Sequence, residues 1–278
     1  MKRALPRILR TFLAILCFAL VNAAFLAPTL GAALCLDPSP GWSLAAACQL
    51  GPAVIALDFT VIGAVLALTL LLGRVTCAVL CPLGVLQDAV IRIRRLFPGF
   101  RLRHRRASAV RYAALAACVA CAAAGYMAVP ALLDPYGAYG RIVTDLGLPP
   151  LQGLVNLAAD WCDAHERYWL MSGDAIRPGL AAAIVAAATL LLVSGLACLR
   201  GRWFCDRLCP VGAALSLVAR RPLLHLSVDP VKCVGCGQCE RVCKTGCIDA
   251  AARTVEDSRC IRCFDCVSVC RKGAVKLW

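Results

Sequence analysis

Long apolar runs alternate with shorter polar and basic segments along most of the chain. Four runs have about the 20 residues that a helix needs to cross the hydrocarbon core of a bilayer. They are residues 8–27, 53–72, 112–132 and 179–199. The pattern predicts an all-α polytopic membrane bundle of four transmembrane helices, with two outer loops and both chain ends on the same side.

The basic residues predict which side that is. Of the 30 Lys and Arg residues, 27 lie within the first ten residues, between the second and third runs, or after the fourth. The other three share the loop between the third and fourth runs with six acidic residues. Because Lys and Arg accumulate on the cytoplasmic side of membrane proteins, we expect both termini to be cytoplasmic, in a bacterial inner membrane.

The basic N-terminus and the first apolar run also fit a cleaved signal peptide, with a small-residue site near residues 22–24. The apolar run continues past that site to Leu26, which favours an uncleaved span. Cleavage would leave three spans, and the C-terminal tail would be cytoplasmic in either case.

The composition narrows the class of protein. The chain is 61% apolar and 17% charged, which excludes an ordinary soluble domain and a disordered segment. Its net charge of +14 does not indicate a nucleic-acid surface, because no folded soluble domain fits around residues 92–106. Apolar residues from Leu86 to Phe97 instead recur at helical spacing, with arginines on the other face. This pattern fits a helix on the anionic inner leaflet, with membrane lipid as its partner. We favour the simpler interpretation that these arginines are solvated charges that set the topology.

A twelve-residue pattern occurs twice in the membrane part. Residues 73–84 and 201–212 share Gly, Arg, Cys, Cys, Pro and Gly at matched positions, at a constant offset of 128 residues. Each copy follows an even-numbered predicted span and leads into an amphipathic basic stretch. The membrane part is therefore predicted to consist of two duplicated helix hairpins.

Each copy contains two cysteines four residues apart, directly before a proline. The four thiols are those of Cys77, Cys81, Cys205 and Cys209. Thiols at this spacing share a helix face, and the proline disfavours helical geometry at the second cysteine. The four can meet around a further metal or cluster, act as redox dithiols, or be small packed residues. The duplicated Gly-Arg and Pro frame favours a functional role.

Two longer cysteine runs lie near the C-terminus. The pattern Cys-x2-Cys-x2-Cys-x3-Cys occurs at residues 233–243 and again at residues 260–270. This is the spacing of bacterial ferredoxins with two 4Fe–4S clusters, in which the fourth cysteine of each run binds the other cluster. The predicted ligands are Cys233, Cys236, Cys239 and Cys270 for the first cluster, and Cys260, Cys263, Cys266 and Cys243 for the second.

Other uses of these cysteines fit less well. Zinc ribbons separate cysteine pairs by a longer loop, and disulfides do not persist in the reducing cytoplasm. Lys244 and Arg271 replace the proline that usually follows the fourth cysteine, and such cations favour the reduced cluster. Cys247 is an additional thiol, predicted to be a packed residue because eight ligands are already present.

Short strand-like runs surround these cysteines, at residues 225–228, 248–251, 253–255 and 274–277. With one short helix in each half, they predict a small α+β ferredoxin-like domain at residues 223–278. A fold of fewer than 60 residues needs its metals for stability. Residues 1–222 are the predicted membrane domain.

Several other cofactors are excluded. The histidines, at positions 104, 165 and 225, lie outside the predicted spans, so a membrane haem held by histidines is not expected. The chain has no Cys-x2-Cys-His motif for covalent haem. It also has no P-loop or Rossmann glycine pattern, so neither ATP nor NAD(P)H is indicated.

Some residues near the outer side have two interpretations. Asp58, within the second run, is either a proton acceptor from a quinol or an interfacial residue that reaches water. Cys35 and Cys48 share the first outer loop, as a disulfide or as two unpaired thiols. Cys118 and Cys121 are predicted to pack between helices. Four tryptophans are predicted near the membrane interfaces: Trp42, Trp161, Trp169 and Trp203.

Together these features resemble the NapH/MauN-type ferredoxin-like membrane proteins over essentially the whole chain. The membrane part is also similar to the C-terminal region of nitrous-oxide-reductase regulators and related assembly proteins. Residues 133–141 resemble the Asp-Pro loop that follows the third span in the family. The Lys and Arg in place of proline depart from the pattern without changing the ligand sets.

The resemblance implies a quinol-dehydrogenase-like subunit that passes electrons between the quinone pool and a periplasmic metalloenzyme, with other redox subunits as partners. It also implies an alternative, an assembly or maturation factor that supplies electrons or metal to such an enzyme. In that case the thiols of the Cys-x3-Cys-Pro motifs are the active groups. All the predicted metal ligands lie on the inner side, so a path to the outer face needs a partner or the quinone itself.

Overall fold

The computed structural model describes residues 5–34, 49–100, 102–166, 170–174 and 176–277. Helices predominate up to residue 218: Leu5–Leu34, Leu50–Ile55, Phe59–Leu72, Thr76–Val79, Pro82–Arg94, Val110–Ala123, Ala128–Leu133, Pro135–Arg141, Leu148–Ala164, Leu180–Arg200, Trp203–Arg207 and Pro210–Val218, with a π-helical segment at Ile142–Gly147. Cys35, Cys48, Trp42 and Trp169 lie outside the described residues, so the predictions made for them stay predictions.

Two of the described helices are long and apolar enough to cross a membrane. They are Leu5–Ala27, which belongs to the helix Leu5–Leu34, and Leu180–Arg200. Both expose large apolar side chains, among them Phe12, Ile15 and Leu191. Apolar surface of this extent is typical of a face that contacts lipid. These helices correspond to the first and fourth predicted spans.

The second and third predicted spans are not continuous helices, and that part of the prediction is wrong. They divide into Leu50–Ile55 and Phe59–Leu72, and into Val110–Ala123 and Ala128–Leu133. At the first interruption Leu57 has a φ of 54°, and Asp58 then caps the next helix; at the second, Gly125 has a φ of 84°. The longer pieces have 14 residues each, about 21 Å, which is short of the roughly 30 Å of a bilayer core. Four spans therefore stay a prediction.

Each repeat begins where an apolar helix ends. Gly73 and Gly201 follow Phe59–Leu72 and Leu180–Arg200 with φ values of 73° and 71°, and their N–H groups donate to the last turn of the helix. A residue without a Cβ adopts this left-handed backbone at no steric cost. A short helix carrying the first cysteine follows in each copy, and a longer helix begins directly after the second cysteine. A helix thus begins in each of the predicted amphipathic stretches, but the second, Pro210–Val218, ends before the two arginines at residues 220 and 221.

The two copies pack on each other's helices. Pro82–Arg94, from the first copy, packs on Leu180–Arg200, which precedes the second copy. Pro210–Val218, from the second copy, packs on Phe59–Leu72 and on Val110–Ala123. The second cysteine pair therefore lies in the core between the copies, with apolar neighbours that include Val21, Leu83 and Phe204.

The buried face of the helix Pro82–Arg94 is more polar than the apolar periodicity of its sequence predicts. Leu83, Gln87 and Ile91 are buried against the protein. Ile93 and Leu96, which the pattern places on the lipid-facing side, are exposed. Attachment of this helix to the inner leaflet stays a prediction.

The C-terminal part contains two small antiparallel sheets. Strand β1 (Leu226–Val228) pairs with β4 (Val275–Leu277), and β2 (Ile248–Asp249) pairs with β3 (Thr254–Val255). All four predicted strands are confirmed, each one or two residues shorter than expected. Two short helices, Gln238–Arg241 and Asp265–Val269, pack together beside the sheets.

This C-terminal part lies against the end of the helix Phe59–Leu72. The backbone N–H groups of Leu223 and Leu224 donate to the carbonyl oxygens of Leu70 and Leu71, at 3.0 Å and 2.9 Å. Arg262 Nε donates to the Leu72 carbonyl at 3.1 Å. The last turn of Phe59–Leu72 thus finds partners for carbonyl groups that no helix can satisfy internally.

Candidate metal centres

Four predicted cluster ligands surround one cavity in the C-terminal part. Cys233, Cys236, Cys239 and Cys270 line a cavity of about 180 Å³. The first three come from one loop and its short helix, and the fourth follows the helix Asp265–Val269. This is the set that the ferredoxin spacing assigns to the first cluster.

The other four predicted ligands surround a second, much smaller cavity. Cys243, Cys260, Cys263 and Cys266 line it, all four are buried, and its volume is about 10 Å³. Cys247 lines the same cavity, with its Sγ 3.5 Å from that of Cys243. Cys247 is buried, as predicted for a packed residue, and it also contacts a predicted ligand.

Left-handed backbone bends both cysteine loops around these cavities. Gly235 and Gly237 have φ values of 71° and 67° in the first loop, and Arg262 and Phe264 have 53° and 58° at the equivalent positions of the second. A residue with a side chain costs on the order of 1–3 kcal/mol in this region, so it persists only where the surroundings hold it. Arg262 is held by its guanidinium, which donates to two carbonyl oxygens and to the carboxylate of Asp257 at 2.8 Å.

Opposing effects act on the thiols of the second cavity. Burial raises the pKa of Cys263 and Cys266. A hydrogen bond with Cys247 lowers the pKa of Cys243. The ammonium group of Lys244 adds positive charge that favours the Cys263 thiolate. A buried thiol becomes a thiolate when a bound metal compensates its charge, so this donor set suits metal binding.

Eight thiols in two groups of four fit two 4Fe–4S clusters, since each cluster needs four thiolates. In the described part of the chain, no three or more Cys, His, Asp or Glu side chains gather closely enough to hold one metal ion. The four thiolates of a cubane each bind a different iron, so they lie further apart than ligands of a single ion. Ligation by these eight residues stays a prediction.

The second cysteine of each repeat caps a helix. Cys81 Sγ accepts a hydrogen bond from Gly84 N at 3.4 Å. Cys209 Sγ accepts one from Gly212 N at 3.2 Å. The positive end of a helix stabilises a thiolate, so these hydrogen bonds act against the effect of burial on the pKa of both thiols without outweighing it.

Two arginines cross between the copies. Arg202 Nη1, from the second copy, donates to the Cys77 carbonyl at 2.6 Å. Arg74 Nη2, from the first copy, donates to the Cys205 carbonyl at 3.2 Å. The arginine of each copy therefore contacts the first cysteine of the other copy, and these two equivalent contacts lie beside the repeat thiols.

The last glycine of each motif leaves room for the arginine of the other copy to reach the carbonyl group of the first cysteine. A Cβ on Gly84 would lie 2.6 Å from the Cys77 carbonyl oxygen and 2.9 Å from Arg202 Nη1. A Cβ on Gly212 would lie 2.5 Å from the Cys205 carbonyl oxygen. Distances this short leave no room for a side chain at either position.

The crossing arginines carry charge that is only partly compensated. Arg74 and Arg202 are 1% and 0% exposed. Arg202 is ion-paired with Asp88 at 2.7 Å, whereas Arg74 donates to the carbonyl oxygens of Cys205 and Ser258. Arg74 Nε and Arg202 Nη2 have no hydrogen-bond partner among the described residues. Buried donors of this kind favour an anionic group beside them.

Burial raises the pKa of three repeat thiols, those of Cys81, Cys205 and Cys209, and that of Cys205 reaches about 11. As free thiols they are therefore protonated at neutral pH. A metal displaces these protons when it binds, and the thiolates then balance the guanidinium charge. The donor set and its surroundings fit an anionic metal centre.

Asp88 connects the membrane part to the C-terminal part. Its carboxylate forms ion pairs with Arg10, with Arg202 and, at 2.8 Å, with Lys244 Nζ. Burial alone would raise the pKa of Asp88, but these three cations hold it well below its usual range. Its partners Arg10 and Lys244 lie 78 and 156 residues away in the chain. No local sequence signal predicts such contacts.

Asp206 has a similar role in the second copy. Arg259, which is 1% exposed, bonds the Asp206 carboxylate through Nη2 at 2.9 Å and through Nε at 3.0 Å. The same guanidinium donates to the Thr245 carbonyl at 2.8 Å. Sequence reasoning did not identify this pair, although Arg259 directly precedes the predicted ligand Cys260 and Asp206 directly follows Cys205.

The remaining predicted residues have mostly structural surroundings. Asp58 accepts hydrogen bonds from Thr60 N at 3.1 Å and from Val61 N at 3.3 Å, which makes it a helix cap. This favours the interfacial interpretation over a proton acceptor. Cys118 is buried and Cys121 is half-buried, in line with packing residues. Trp161 is exposed and Trp203 is half-buried.

A comparison with protein-family models finds two matches. The model described as 4Fe-4S binding domain Fer4_5 matches residues 58–101 and 180–227, which contain the two copies of the repeat. The 4Fe-4S binding domain Fer4 matches residues 226–249, which contain the first ferredoxin cysteine run. The chain therefore contains ferredoxin-type domains, which indicate 4Fe–4S clusters and iron–sulfur electron transfer.

One curated relative is the uncharacterized protein MJ0749 of Methanocaldococcus jannaschii. It is 51% identical over 41 residues, which is 15% of this chain and 17% of the relative. The chain thus covers about a sixth of the length of this relative. No solved structure matches the chain.

Proposed function

We propose that this chain is a membrane-bound protein that transfers single electrons through two 4Fe–4S clusters in its C-terminal part. The observation that carries the proposal is the division of the eight predicted ligands into two fours, each around its own cavity. When bound, such clusters accept and release one electron at a time.

The chain's own residues hold this C-terminal part against the membrane helices. Arg262 ties the second cysteine loop to the end of Phe59–Leu72, and Arg259 ties it to Asp206. Lys244, next to the predicted ligand Cys243, reaches Asp88. These contacts support electron exchange with a partner at the membrane surface rather than with a diffusing one.

The four repeat thiols bind a third 4Fe–4S cluster in this proposal. The matching family model, described as a 4Fe-4S binding domain, covers both copies of the repeat. The buried guanidinium groups of Arg74 and Arg202 supply positive charge that a cluster with four thiolates would balance. Arg202 already has Asp88 as an ion-pair partner, whereas the described residues form no ion pair with Arg74, so the thiolates would supply the missing negative charge beside Arg74.

Iron and sulfide analysis of the purified full-length protein, with EPR of its reduced form, tests both assignments. Three clusters correspond to about twelve irons per chain. Replacing Cys77, Cys81, Cys205 and Cys209 by Ala should leave about eight irons. The matched control Cys118→Ala/Cys121→Ala removes two thiols outside every predicted ligand set, and it should retain all of the iron.

The possible results separate the two assignments. About eight irons in the unmodified protein would contradict the third cluster and leave the ferredoxin assignment intact. About four irons or fewer would contradict the two ferredoxin clusters themselves. An equal loss in the Cys118 and Cys121 control would show that thiol removal disturbs the fold.

The proposed partners are the quinone pool and a periplasmic metalloenzyme with its redox subunits, with both termini of this chain cytoplasmic. The resemblance to NapH/MauN-type proteins supports this, as does the basic side of the membrane part, against which the cluster domain lies. Quinol added to inner-membrane vesicles that contain the protein should bleach the cluster absorbance. No bleaching with any quinol of suitable potential would reject the quinone pool as a partner.

Deletion of the protein distinguishes electron transfer from the assembly alternative. A target metalloenzyme that keeps its metal but receives no electrons supports electron transfer. A target that lacks its metal supports an assembly factor.

A further inference from the structure

A second cavity of about 180 Å³ lies where the N-terminal helix, the helix Pro82–Arg94 and the C-terminal part meet. None of the predicted metal ligands lines it. Five cations line it, Arg7, Arg10, Arg92, Arg95 and Lys244, and two carboxylates, Asp88 and Asp265. The lining therefore carries an excess of three positive charges.

The two carboxylates are already shared among these cations. Asp265 lies 3.1 Å from Arg7 Nε, 3.4 Å from Lys244 Nζ and 3.7 Å from Arg95 Nη1. Asp88 forms ion pairs with Arg10 and Lys244 as well as with Arg202, which lies outside the cavity. Neither carboxylate has capacity left to neutralise the excess.

Two of the arginines have unused donors at this cavity. Arg10 is 7% exposed, and its Nε has no hydrogen-bond partner among the described residues. Arg92 is exposed and forms no ion pair within the described part of the chain. A buried unpaired donor beside an exposed guanidinium fits an anion with several acceptor oxygens, and phosphate has this property.

The apolar part of the lining indicates where such an anion comes from. Ile15 lines the cavity and is 60% exposed, on a helix long and apolar enough to cross a membrane. Phe12 and Leu16, its neighbours on that helix, are 63% and 46% exposed. The cavity thus opens toward a lipid-facing surface at the basic end of the helix, the level at which headgroups lie.

We infer that this cavity binds a phosphate-bearing anion, supplied by the headgroup of an anionic phospholipid in the surrounding leaflet. The phosphate contacts Arg10 and Arg92, and the acyl chains lie along the exposed side of Ile15. This site is independent of the cluster assignments, because it needs none of the cysteines.

Native mass spectrometry of the full-length protein in detergent tests the site. The probes are phosphatidylglycerol, phosphatidylcholine and inorganic phosphate. One phosphatidylglycerol should be retained in preference to phosphatidylcholine. Arg92→Gln should weaken its retention about fivefold, and Arg92→Gln/Arg95→Gln roughly twenty-five-fold, since each change removes a guanidinium group that lines the cavity.

Arg94→Gln is the matched control. Arg94 belongs to the same helix, carries the same charge and lies over the ring of Phe100 rather than at the cavity. Its replacement should leave retention unchanged. Iron content equal to that of the unmodified protein will show that each variant is folded, as expected for Arg92, whose side chain is exposed.

Two results would overturn the inference: equal retention of both lipids, or an equal loss in the Arg94→Gln control, which indicates diffuse surface attraction. Inorganic phosphate serves to identify the source of the anion. Phosphate that displaces the lipid in an Arg92-dependent manner supports the anion site with a soluble ligand. Phosphate without effect supports the lipid headgroup.

Discussion

The two copies of the repeat share a backbone frame but differ in the charges around it. In both copies a positive-φ glycine ends an apolar helix, an arginine crosses to the other copy, and a cysteine caps the helix that follows. Asp88 of the first copy has Ser216 as its counterpart in the second, and Ser216 bonds the Ala213 carbonyl. Asp206 of the second copy has Ala78 as its counterpart in the first.

The duplicated unit therefore has two roles: its shared residues surround the four thiols, and its unmatched residues contact the C-terminal part. The residues common to both copies surround the four thiols, where both halves of the site need the same geometry. The unmatched carboxylates, Asp88 and Asp206, point to different parts of the C-terminal domain, Lys244 and Arg259. Each copy therefore contributes a contact of its own to the C-terminal part.

The largest expected effect is that of Asp88→Asn. The change leaves three buried cations without their shared carboxylate, and breaking a buried ion pair typically costs about 3–5 kcal/mol. We expect a strongly lowered melting temperature and faster cluster loss in detergent. The matched change Ser216→Ala removes one hydrogen bond at the equivalent position and should cost about 1 kcal/mol. Similar losses in both variants would contradict the asymmetry.

A smaller loss is expected for Asp206→Asn. Arg259 loses its carboxylate but keeps the Thr245 carbonyl and Glu256, so the cost should lie near the lower limit for a buried pair, about 3 kcal/mol. The thermal melting temperature should fall less than in Asp88→Asn. A larger fall would mean that the second copy, rather than the first, holds the domain in place.

The shared frame predicts equal effects in the two copies. Gly84→Ala and Gly212→Ala each place a Cβ within 2.6 Å of a carbonyl oxygen, and overpacking of this kind costs about 1–3 kcal/mol. Gly63→Ala and Gly195→Ala, in the helices that precede the two copies, meet nothing within 4 Å and should be neutral or slightly stabilising. Thermal melting of the four variants tests this. Unequal losses at residues 84 and 212 would contradict the symmetry of the frame.

The smallest expected effect is one of pH. The pKa of Asp88 is lowered in the folded protein, so its contribution to stability is fully present above the unfolded pKa of about 3.9 and is lost as the pH falls through the lower folded pKa. The difference in melting temperature between the unmodified protein and Asp88→Asn should therefore be constant between about pH 8 and pH 5. A difference that shrinks over this range would show that the cations do not hold the carboxylate ionised.

Hydropathy identified the apolar segments of the chain, but it did not predict where the helices within them are interrupted. The runs at residues 53–72 and 112–132 are apolar throughout, but each is interrupted, at Leu57–Asp58 and at Gly125. Asp58 before Thr60 is a capping signal within an apolar run, and a glycine can take a left-handed bend where a helix stops. Each of these signals is a single residue, and averaging the hydropathy over a window as long as a membrane span hides its effect.

The sequence by itself determined the 4Fe–4S ferredoxin type of the C-terminal part, its four strands and the duplicated Gly-Arg-Cys-Cys-Pro-Gly frame. These features depend on spacing within a few residues, because loop geometry around a cluster and helix caps are local. Only the tertiary structure decided which arginines cross between the copies, which carboxylates hold the C-terminal part, and that five cations surround a cavity. The physical reason is that burial and ion pairing depend on distance in space, and Asp88 and Lys244 are 156 residues apart in the chain but 2.8 Å apart in the fold.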